Sequence, residues 1–448
     1  MTTVHPFRFS RDGLLGLPAS PTLVINDRIK EMMAAGQEVF HLGFGESRFP
    51  VHPTLARALQ DNVHKRSYLP ALGIPELRAA IAAYYSKKFD RPVSPEQVVI
   101  GPGSKALLFA LMQALDADIL LPTPAWVSYG AQAQLAGRPL LQAPMDPAAD
   151  YAVDVDRLAH TIDQASTEWR QPDLLLLNTP NNPTGTVMST EAVEAAATFA
   201  RTRKMVIFSD EIYSLVTHPD ITFASPAQYY PEGTVVFGGL SKHMSLGGWR
   251  FGLAILPPGE AGTQLARALQ AIAGCTWSCV AGPVQYAALK AYSGSPEIEN
   301  YIEACTCLHS ARTNYLYEAF EEFGLACPTP QGGFYLYPSF ARWREPLAAR
   351  NVNTCQDLAM HLLDRYQIAV LPGSAFGDDP YALAVRISSS YLDAETEEQA
   401  TTLIEAFQQN GNPEHFFQDH HPRLRQFNER MADFIGELEG ELLRTARL

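Results

Sequence analysis

Short apolar runs alternate along the first half of the chain with segments in which apolar residues recur at helical spacing. The runs at residues 97–100, 118–121, 173–177, 204–208 and 235–239 each have the length and composition of a buried strand. Strands of this kind that alternate with helices are typical of a parallel sheet covered by helices on both faces. The pattern therefore predicts an α/β fold around a parallel sheet.

A different pattern begins near residue 271. Helical segments at 284–291 and 297–323 are followed by strand-like runs at 332–337, 368–371 and 383–388, which we expect to form an antiparallel set. These elements predict a second, smaller α+β domain that the N-terminal segment completes. Beyond residue 410, apolar side chains at helical spacing predict a packing helix; they are Phe427, Met431, Phe434, Leu438 and Leu442.

The length of 448 residues favours at least two domains. We expect residues 1–60 to form an N-terminal arm and part of the small domain, and residues 61–295 to form the large domain. Residues 296–409 are then the small C-terminal domain, and residues 410–448 are a helical extension.

The charge balance argues against some classes of partner. Thirty-four basic and forty-eight acidic residues give a net charge of −14, which disfavours general binding to nucleic acid or anionic membranes. No apolar run approaches the roughly 18 residues that span a bilayer, and residues 1–20 have no signal-peptide core. The six cysteines lack zinc-binding spacing. We therefore expect reduced cysteines, no metal site and a cytoplasmic protein.

Polar and aromatic residues follow the ends of the predicted strands, where ligands bind in α/β sheets. They are Trp126, Asn182, Asp210, Tyr213 and Lys242. Lys242 can form a Schiff base with an aldehyde if its site keeps the amine partly deprotonated, and Arg250 can hold a phosphate. Together these two residues describe a lysine that carries pyridoxal phosphate, against the alternative of a solvated surface lysine.

The first of these strands passes through a glycine turn into a helix, at residues 101–105. Free N–H groups at the start of a helix, together with the helix dipole, favour an anion there. The stretch matches neither GxxxxGK[ST] nor GxGxxG, which argues against a nucleotide-binding loop. A phosphate cup for another kind of ligand is therefore the hypothesis for this turn.

Taken together, the residues resemble the fold-type I pyridoxal-phosphate enzymes of the aspartate-aminotransferase-like class I/II aminotransferase family, from about residue 42 to residue 388. The resemblance implies a large domain with a mostly parallel seven-stranded sheet flanked by helices, and a smaller α+β domain. The strongest matching motifs are 181–185, 209–213, 241–242 with 248–250, and 385–388. Weaker matches are Tyr68 with 73–78, 332–335, and 371–373 with 376–377.

The resemblance implies roles for the residues that face the cofactor ring. Lys242 would form the Schiff base and then move the substrate proton. Asp210 would pair with the pyridine nitrogen, and its alternative is a helix N-cap. Asn182 and Tyr213 would bond the phenolic oxygen of the ring, and Trp126 would stack on its face.

The resemblance also implies a set of phosphate ligands and a site for the substrate. Arg386 would pair with the substrate α-carboxylate, assisted by Asn182 and the backbone of Gly45. Tyr68 would reach the phosphate from a neighbouring subunit, which implies a homodimer with shared active sites. The remaining phosphate ligands would be Gly103, Ser104, Lys105, Ser241 and Arg250.

The function that these features imply is transfer of an α-amino group between an amino acid and a 2-oxo acid by a ping-pong mechanism through pyridoxamine phosphate. Four departures from the family pattern leave alternatives open; they are Gly239, Ser47 with Arg48, Gln113, and the C-terminal extension. The main alternative is β- or γ-elimination, replacement or cyclisation, as in aminocyclopropane-carboxylate synthases or natural-product enzymes. A non-catalytic regulator would need a basic DNA-binding domain, for which neither terminus has the length or charge.

Overall fold

The computed structural model describes residues 21–165, 172–409 and 413–445. Most of the longer strands belong to one central sheet. In chain order the strands are β1 (Phe40–His41), β2 (Val98–Gly101), β3 (Ile119–Thr123), β4 (Leu140–Pro144), β5 (Leu174–Asn178), β6 (Val206–Asp210), β7 (Thr234–Gly239), β8 (Gly252–Ile255), β9 (Tyr335–Leu336), β10 (Ile368–Ala369), β11 (Leu371–Pro372) and β12 (Val385–Ser388).

Helices surround the sheets, and several begin with proline in their first turn, where its missing N–H costs nothing. Short 3-10 turns connect some of them. In chain order the helices are α1 (Pro21–Ala34), α2 (Pro53–Asp61), α3 (Pro75–Lys88), α4 (Ser104–Ala114), α5 (Ser128–Ala136), α6 (Val155–Gln164), α7 (Thr190–Thr202), α8 (Pro226–Tyr229), α9 (Gly259–Thr276), α10 (Gly282–Ala291), α11 (Pro296–Glu322), α12 (Arg344–Ala349), α13 (Cys355–Tyr366), α14 (Glu397–Gln409), α15 (Pro413–His420) and α16 (Pro422–Thr445).

The central sheet has seven strands in the order β2–β8–β7–β6–β5–β3–β4. Neighbouring strands from β7 to β4 are parallel, as predicted. Strand β8 is antiparallel to both of its neighbours, so the sheet is mostly parallel and has seven strands, as the family resemblance implied. The chain returns from β7 to β8 through a loop without an α-helix, so it has no crossover that could make the two strands parallel.

Side chains alternate between the two faces of the sheet along each strand, and helices bury both faces. In β5, Leu174 and Leu176 lie in one apolar core with residues of α4. Leu175 and Leu177 lie in a second core with residues of α7 on the other face. A strand that is buried on both faces must be apolar throughout, which explains the unbroken leucine run.

The later part of the chain forms two smaller sheets. Strands β11, β12 and β9 form an antiparallel sheet in that order, as predicted. The run at 368–371 was expected to be one antiparallel strand, but it divides into β10 and β11. Strand β10 pairs in parallel with β1, so the N-terminal segment completes this region of the structure. The domain boundaries stay a prediction.

Helix α16 packs on the same apolar core as β1 and α11. Phe427, Met431, Phe434 and Leu438 are fully buried in that core, which confirms the predicted packing helix. Leu442 is partly buried against it. Among the described helices, none combines the length and the apolar character needed to cross a membrane.

Candidate functional site

A cavity of about 440 Å³ lies where the parallel strands β3, β5, β6 and β7 end. Each of these strands changes from an apolar run to polar or glycine residues at this edge, so the topology collects those residues in one place. The wall of the cavity contains the predicted residues Gly45, Ser104, Lys105, Trp126, Asn182, Asp210, Tyr213, Ser241, Lys242, Arg250 and Arg386.

Lys242 stands three residues beyond the end of β7 and reaches into the cavity. Its Nζ donates a hydrogen bond to the carbonyl oxygen of Gly45 at 2.6 Å and lies 5.3 Å from the centre of the Tyr213 ring. Burial, and secondarily the positive charge of Arg386, lowers the pKa of the Lys242 amine to about 8. At pH 7 roughly a tenth of the amine is therefore unprotonated, far more than for an ordinary lysine, and can attack an aldehyde.

Asp210 is the last residue of β6 and is 2% exposed. Its Oδ2 accepts a hydrogen bond from the Tyr129 hydroxyl at 2.8 Å, and its Oδ1 accepts one from the backbone N–H of Ile212 at 3.3 Å. Burial raises the pKa of the carboxyl group to about 6, while these hydrogen bonds and Lys242 oppose the rise. The group is therefore mainly a buried anion at neutral pH, suited to a cationic partner.

Arg386 on β12 is a buried cation on the same cavity. Its two Nη atoms donate to Asn182 Oδ1 at 3.1 Å and to the Gly43 carbonyl at 2.5 Å. Its Nε has no hydrogen-bond partner among the described residues, and none of their carboxylates forms an ion pair with it. Since an unpaired buried charge is costly, the guanidinium is arranged to receive an anionic ligand.

Asn182 is held by the loops that follow β5 and β6. The backbone N–H of Asn182 donates to Asn178 Oδ1 at 2.9 Å, and Asn178 Nδ2 donates to the Asp210 carbonyl at 2.8 Å. These bonds connect the segment that bears Asn182 to the segment that bears Asp210. The amide and the carboxylate therefore have fixed relative positions.

The turn from β2 into α4 has the properties of an anion cup. Gly103 precedes the helix with φ of 93°, and as the N-cap residue it offers no side-chain cap, which among the described residues leaves the first-turn N–H groups to a ligand. A side chain at Gly103 would collide with the guanidinium of Arg250, and one at Gly252 would collide with the backbone of Ser104. Glycines therefore allow two strand ends and an arginine to converge on a helix N-terminus, which is suited to phosphate.

Two further cationic groups adjoin this cup. Arg250 donates to the Gly247 carbonyl at 2.7 Å and to the Pro102 carbonyl at 3.4 Å. The Nζ of Lys105 lies 4.8 Å from the centre of the Trp126 ring. Burial and the neighbouring Arg250 lower the pKa of Lys105. The cavity wall thus carries more basic than acidic side chains, although the chain as a whole is acidic.

Several wall residues have no role in the sequence-based assignment, among them Tyr129, Tyr335 and Glu46. Tyr335 ends the family motif at residues 332–335. Its hydroxyl bonds the Tyr213 hydroxyl at 2.6 Å and donates to the Gly45 carbonyl at 3.5 Å. Tyr129 stands three residues after Trp126, and its ring meets the Trp126 ring edge-on at 5.2 Å. Trp126 lies before α5 and Tyr129 lies in its first turn, so no helical spacing in the sequence relates the two residues.

Two predicted residues lie outside the wall. Gly103 contacts the site through Arg250. Tyr68 is 87% exposed and takes no part in the cavity of its own chain. Its predicted role in a neighbouring subunit stays a prediction.

The polar groups of the site match the chemical groups of pyridoxal phosphate. The low-pKa amine of Lys242 suits an aldehyde, the buried carboxylate of Asp210 suits a ring nitrogen, and the turn at Gly103 suits a phosphate. The unpaired Arg386 is left for the carboxylate of an amino acid. The residues present therefore fit this cofactor together with its substrate.

Comparison with known proteins agrees with this site. The family model described as aminotransferase class I and II matches residues 37–407. The aspartate aminotransferase of Geobacillus stearothermophilus is 31% identical over 370 residues, which are 81% of this chain and 90% of that protein. A probable aspartate/prephenate aminotransferase of Aquifex aeolicus is 30% identical over 372 residues, with the same shares of 81% and 90%.

Solved structures agree as well. The aspartate aminotransferase from Thermus thermophilus with maleate superimposes with a TM-score of 0.77 at 26% identity, covering 90% of this chain and all of that one. The Thermotoga maritima aspartate aminotransferase has a TM-score of 0.74 at 27% identity, over 89% of this chain and 100% of that one. The fold is thus that of the fold-type I enzymes.

These relatives are aminotransferases, and nothing among them favours the elimination alternative. Members of the matched family use pyridoxal 5′-phosphate, the cofactor that the cavity fits. The chain therefore belongs to the class I and II aminotransferase family and is a pyridoxal-phosphate-dependent aminotransferase.

Proposed function

We propose that this cavity transfers the α-amino group of an amino acid to a 2-oxo acid, with Lys242, Asp210 and Tyr213 as its catalytic residues. The observation that carries the proposal is the presence, in one cavity, of a lysine amine with a pKa near 8 and a buried arginine without a carboxylate partner. The first suits covalent attachment of an aldehyde, and the second suits capture of an α-carboxylate.

Lys242 would hold the cofactor by its aldehyde group and, once its amine is free again, would take the proton from the substrate Cα. When bound, pyridoxal phosphate supplies an electron sink that weakens the Cα–H bond. The low pKa of the lysine amine suits it to take a proton, since a base works best with a pKa near the working pH. The free amine donates to the Gly45 carbonyl at 2.6 Å, which orients it within the cavity.

Asp210 would keep the ring nitrogen protonated through an ion pair. Its bond from Tyr129 and its burial hold the carboxylate in one orientation without water. Tyr213 and Asn182 would bond the phenolic oxygen. Burial raises the pKa of Tyr213, so its hydroxyl stays neutral and can donate.

Arg386 would bind the α-carboxylate of the substrate through its guanidinium, with Asn182 and the Gly45 backbone beside it. A two-point contact of this kind fixes the amino acid in orientation as well as position. Trp126 would stack on the cofactor ring. The phosphate would bind the N-terminal turn of α4, with contacts from Gly103, Ser104, Lys105, Ser241 and Arg250.

The larger organisation of the protein is also proposed. The enzyme would act as a homodimer in which Tyr68 of one copy reaches the phosphate of the other; its side chain is 87% exposed in the single chain. The dimer would work in the cytoplasm and bind neither nucleic acid nor membranes, in keeping with its net charge of −14. Residues 61–295 and 296–409 would be its large and small domains, with residues 1–60 shared between the arm and the small domain.

The half-reaction tests the proposed function. Single amino acids are added to the protein with bound cofactor in the absence of any 2-oxo acid, and the names of the relatives make aspartate the first to test. We expect conversion of the cofactor to pyridoxamine phosphate with one equivalent of 2-oxo acid. Release of ammonia or of a side-chain fragment without pyridoxamine phosphate would contradict transamination.

A further inference from the structure

Two departures from the family pattern meet in the structure. One is the pair Ser47 and Arg48, which follows Gly45 on the segment 43–48 beside the active site. The other is the C-terminal region beyond residue 407, where the family match ends and where α16 lies. A connected set of contacts joins them.

Helix α16 packs directly on the strand that leads into segment 43–48. Arg423, Phe427 and Arg430 lie on one face of α16, and all three contact Phe40 of β1. The Arg423 and Arg430 guanidinium carbons lie 5.4 Å and 4.9 Å from the centre of the Phe40 ring, and the Phe427 ring lies at 6.4 Å. The strand that leads into the segment is therefore covered by the extension.

Arg423 makes polar contacts between the first turn of α16 and two other segments, and its Nη1 also lies 2.5 Å from Glu38 Oε1. Its Nε lies 2.8 Å from Glu395 Oε1, and its Nη2 donates to the Val39 carbonyl at 3.0 Å. The carboxylate of Asp393 accepts hydrogen bonds from the backbone N–H groups of Arg423 and Leu424, at 2.9 Å and 3.0 Å. The first turn of α16 is thus fixed against residues 393–395.

Residues 391–395 in turn hold Arg48. The Arg48 guanidinium donates to the Glu395 carbonyl at 2.9 Å and lies 5.1 Å from the centre of the Tyr391 ring. On the other side, the hydroxyl of Ser47 bonds His309 Nε2 at 2.9 Å. Segment 43–48 is therefore held at the end remote from β1 as well.

Two backbone carbonyl oxygens of this segment accept hydrogen bonds from the basic side chains of the site. Gly43 accepts from Arg386, and Gly45 accepts from Lys242. The Ser47 hydroxyl also bonds Ser245, three residues after Lys242, at 2.6 Å. A displacement of the segment would therefore disturb the Arg386 guanidinium, which bonds the Gly43 carbonyl directly.

We propose that α16 is a positioning element of the amino-acid site, in which Arg423 acts through Glu395 and Arg48 to fix segment 43–48. Arg423 and Arg48 are positioning residues, since neither lines the cavity. The proposal rests on the proposed function, because it takes Arg386 as the residue that binds the substrate carboxylate. It gives the C-terminal extension a role in substrate binding in addition to its packing.

The variant Arg423→Met tests the proposal, because methionine keeps an apolar stem over Phe40 and removes the ion pairs with Glu395 and Glu38 and the bond to the Val39 carbonyl. We expect KM for the amino donor to rise roughly three- to tenfold while kcat changes less than about twofold, the pattern of lost ground-state binding. The dissociation constant of an amino acid methylated at Cα, which has no Cα–H and so stops before proton transfer, should rise by the same factor in an absorbance titration. Arg48→Met should have the same effect and serves if Arg423→Met does not fold.

Glu439→Gln on the same helix is the matched control. It removes an ion pair with Arg342 of the same kind, at 2.9 Å, and leaves an acceptor for the Trp343 indole N–H. We expect its KM to equal that of the wild type even if its melting temperature falls. The double variant of Arg48 and Arg423 should raise KM no further than either single variant, because both act through Glu395.

Unchanged KM and analogue affinity in both arginine variants would overturn the proposal. An equal rise of KM in Glu439→Gln would also overturn it, since any weakening of the contacts of α16 would then raise KM. A wild-type protein that performs no half-reaction with any amino acid would instead refute the proposed function, and this proposal with it.

Discussion

The variant Asp210→Asn separates the charge of this carboxyl group from its packing. Asparagine has nearly the same shape, and its oxygen can still accept the Ile212 N–H while its amide faces the Tyr129 hydroxyl. The substitution therefore removes the negative charge and leaves the cavity filled. If Asp210 acts by its charge, the variant loses activity. If it acts by packing, the variant keeps activity.

The size of the effect follows from the pKa of Asp210. Burial raises it from 3.8 to about 6 in the folded protein without cofactor. Between these two pH values the folded chain keeps a proton that the unfolded chain has lost, so wild-type stability falls as pH rises from about 4 to about 6. Each pKa unit is worth about 1.4 kcal/mol, which makes the loss about 3 kcal/mol. The asparagine variant has no such proton. We therefore expect the difference in free energy of unfolding, variant minus wild type, to increase by about 3 kcal/mol between about pH 4 and about pH 6.

Urea denaturation of both apoproteins across this pH range measures the difference. In the protein with cofactor, the variant should perform the half-reaction roughly a hundredfold more slowly or worse, since no charge opposes the ring nitrogen. The reasoning is refuted if the difference in free energy of unfolding is the same at all pH values, or if the variant reacts at the wild-type rate.

Three further predictions concern the other groups of the cavity. Gly103→Ala should weaken cofactor binding, because φ is 93° there and the new methyl group meets Arg250; a fluorescence titration measures this, and affinity equal to that of the control Gly436→Ala would contradict it. Arg386→Lys should raise KM for amino acids roughly 30- to 100-fold, because lysine keeps the charge but loses the paired donors; steady-state kinetics with an unchanged KM would contradict that role. The rate at which apoprotein takes up cofactor should rise with pH through about 8, because burial and Arg386 lower the pKa of Lys242; stopped-flow absorbance that instead follows a pKa above about 10 would exclude the buried amine as the nucleophile.

The sequence predicts the strands and much of the candidate site for one reason. Each buried strand ends where an apolar run meets glycine or polar residues, as at Gly101, Asn178 and Asp210. In a sheet of parallel strands these ends lie at one edge, so reading the residues that follow each run is enough to assemble most of the cavity. Geometry at the level of hydrogen bonds is not needed for that step.

Other parts depend on contacts that leave no local trace. Strand β8 is a short apolar run like the others, and its reversed direction follows from the loop that precedes it. Tyr129 is one aromatic residue within an apolar helix, and only its hydroxyl bond to Asp210 distinguishes it from a core residue. Arg48 and Glu395 are 347 positions apart, and no sequence motif around either residue indicates that they are in contact.

The most direct test of the central claim is to find which residue carries the cofactor. The protein with bound pyridoxal phosphate is reduced with borohydride, which makes a Schiff base permanent, and then digested and analysed by mass spectrometry. We expect the cofactor mass on the peptide that contains Lys242, and no label in Lys242→Ala. A label on another lysine such as Lys105, or none in the wild type, would contradict the account.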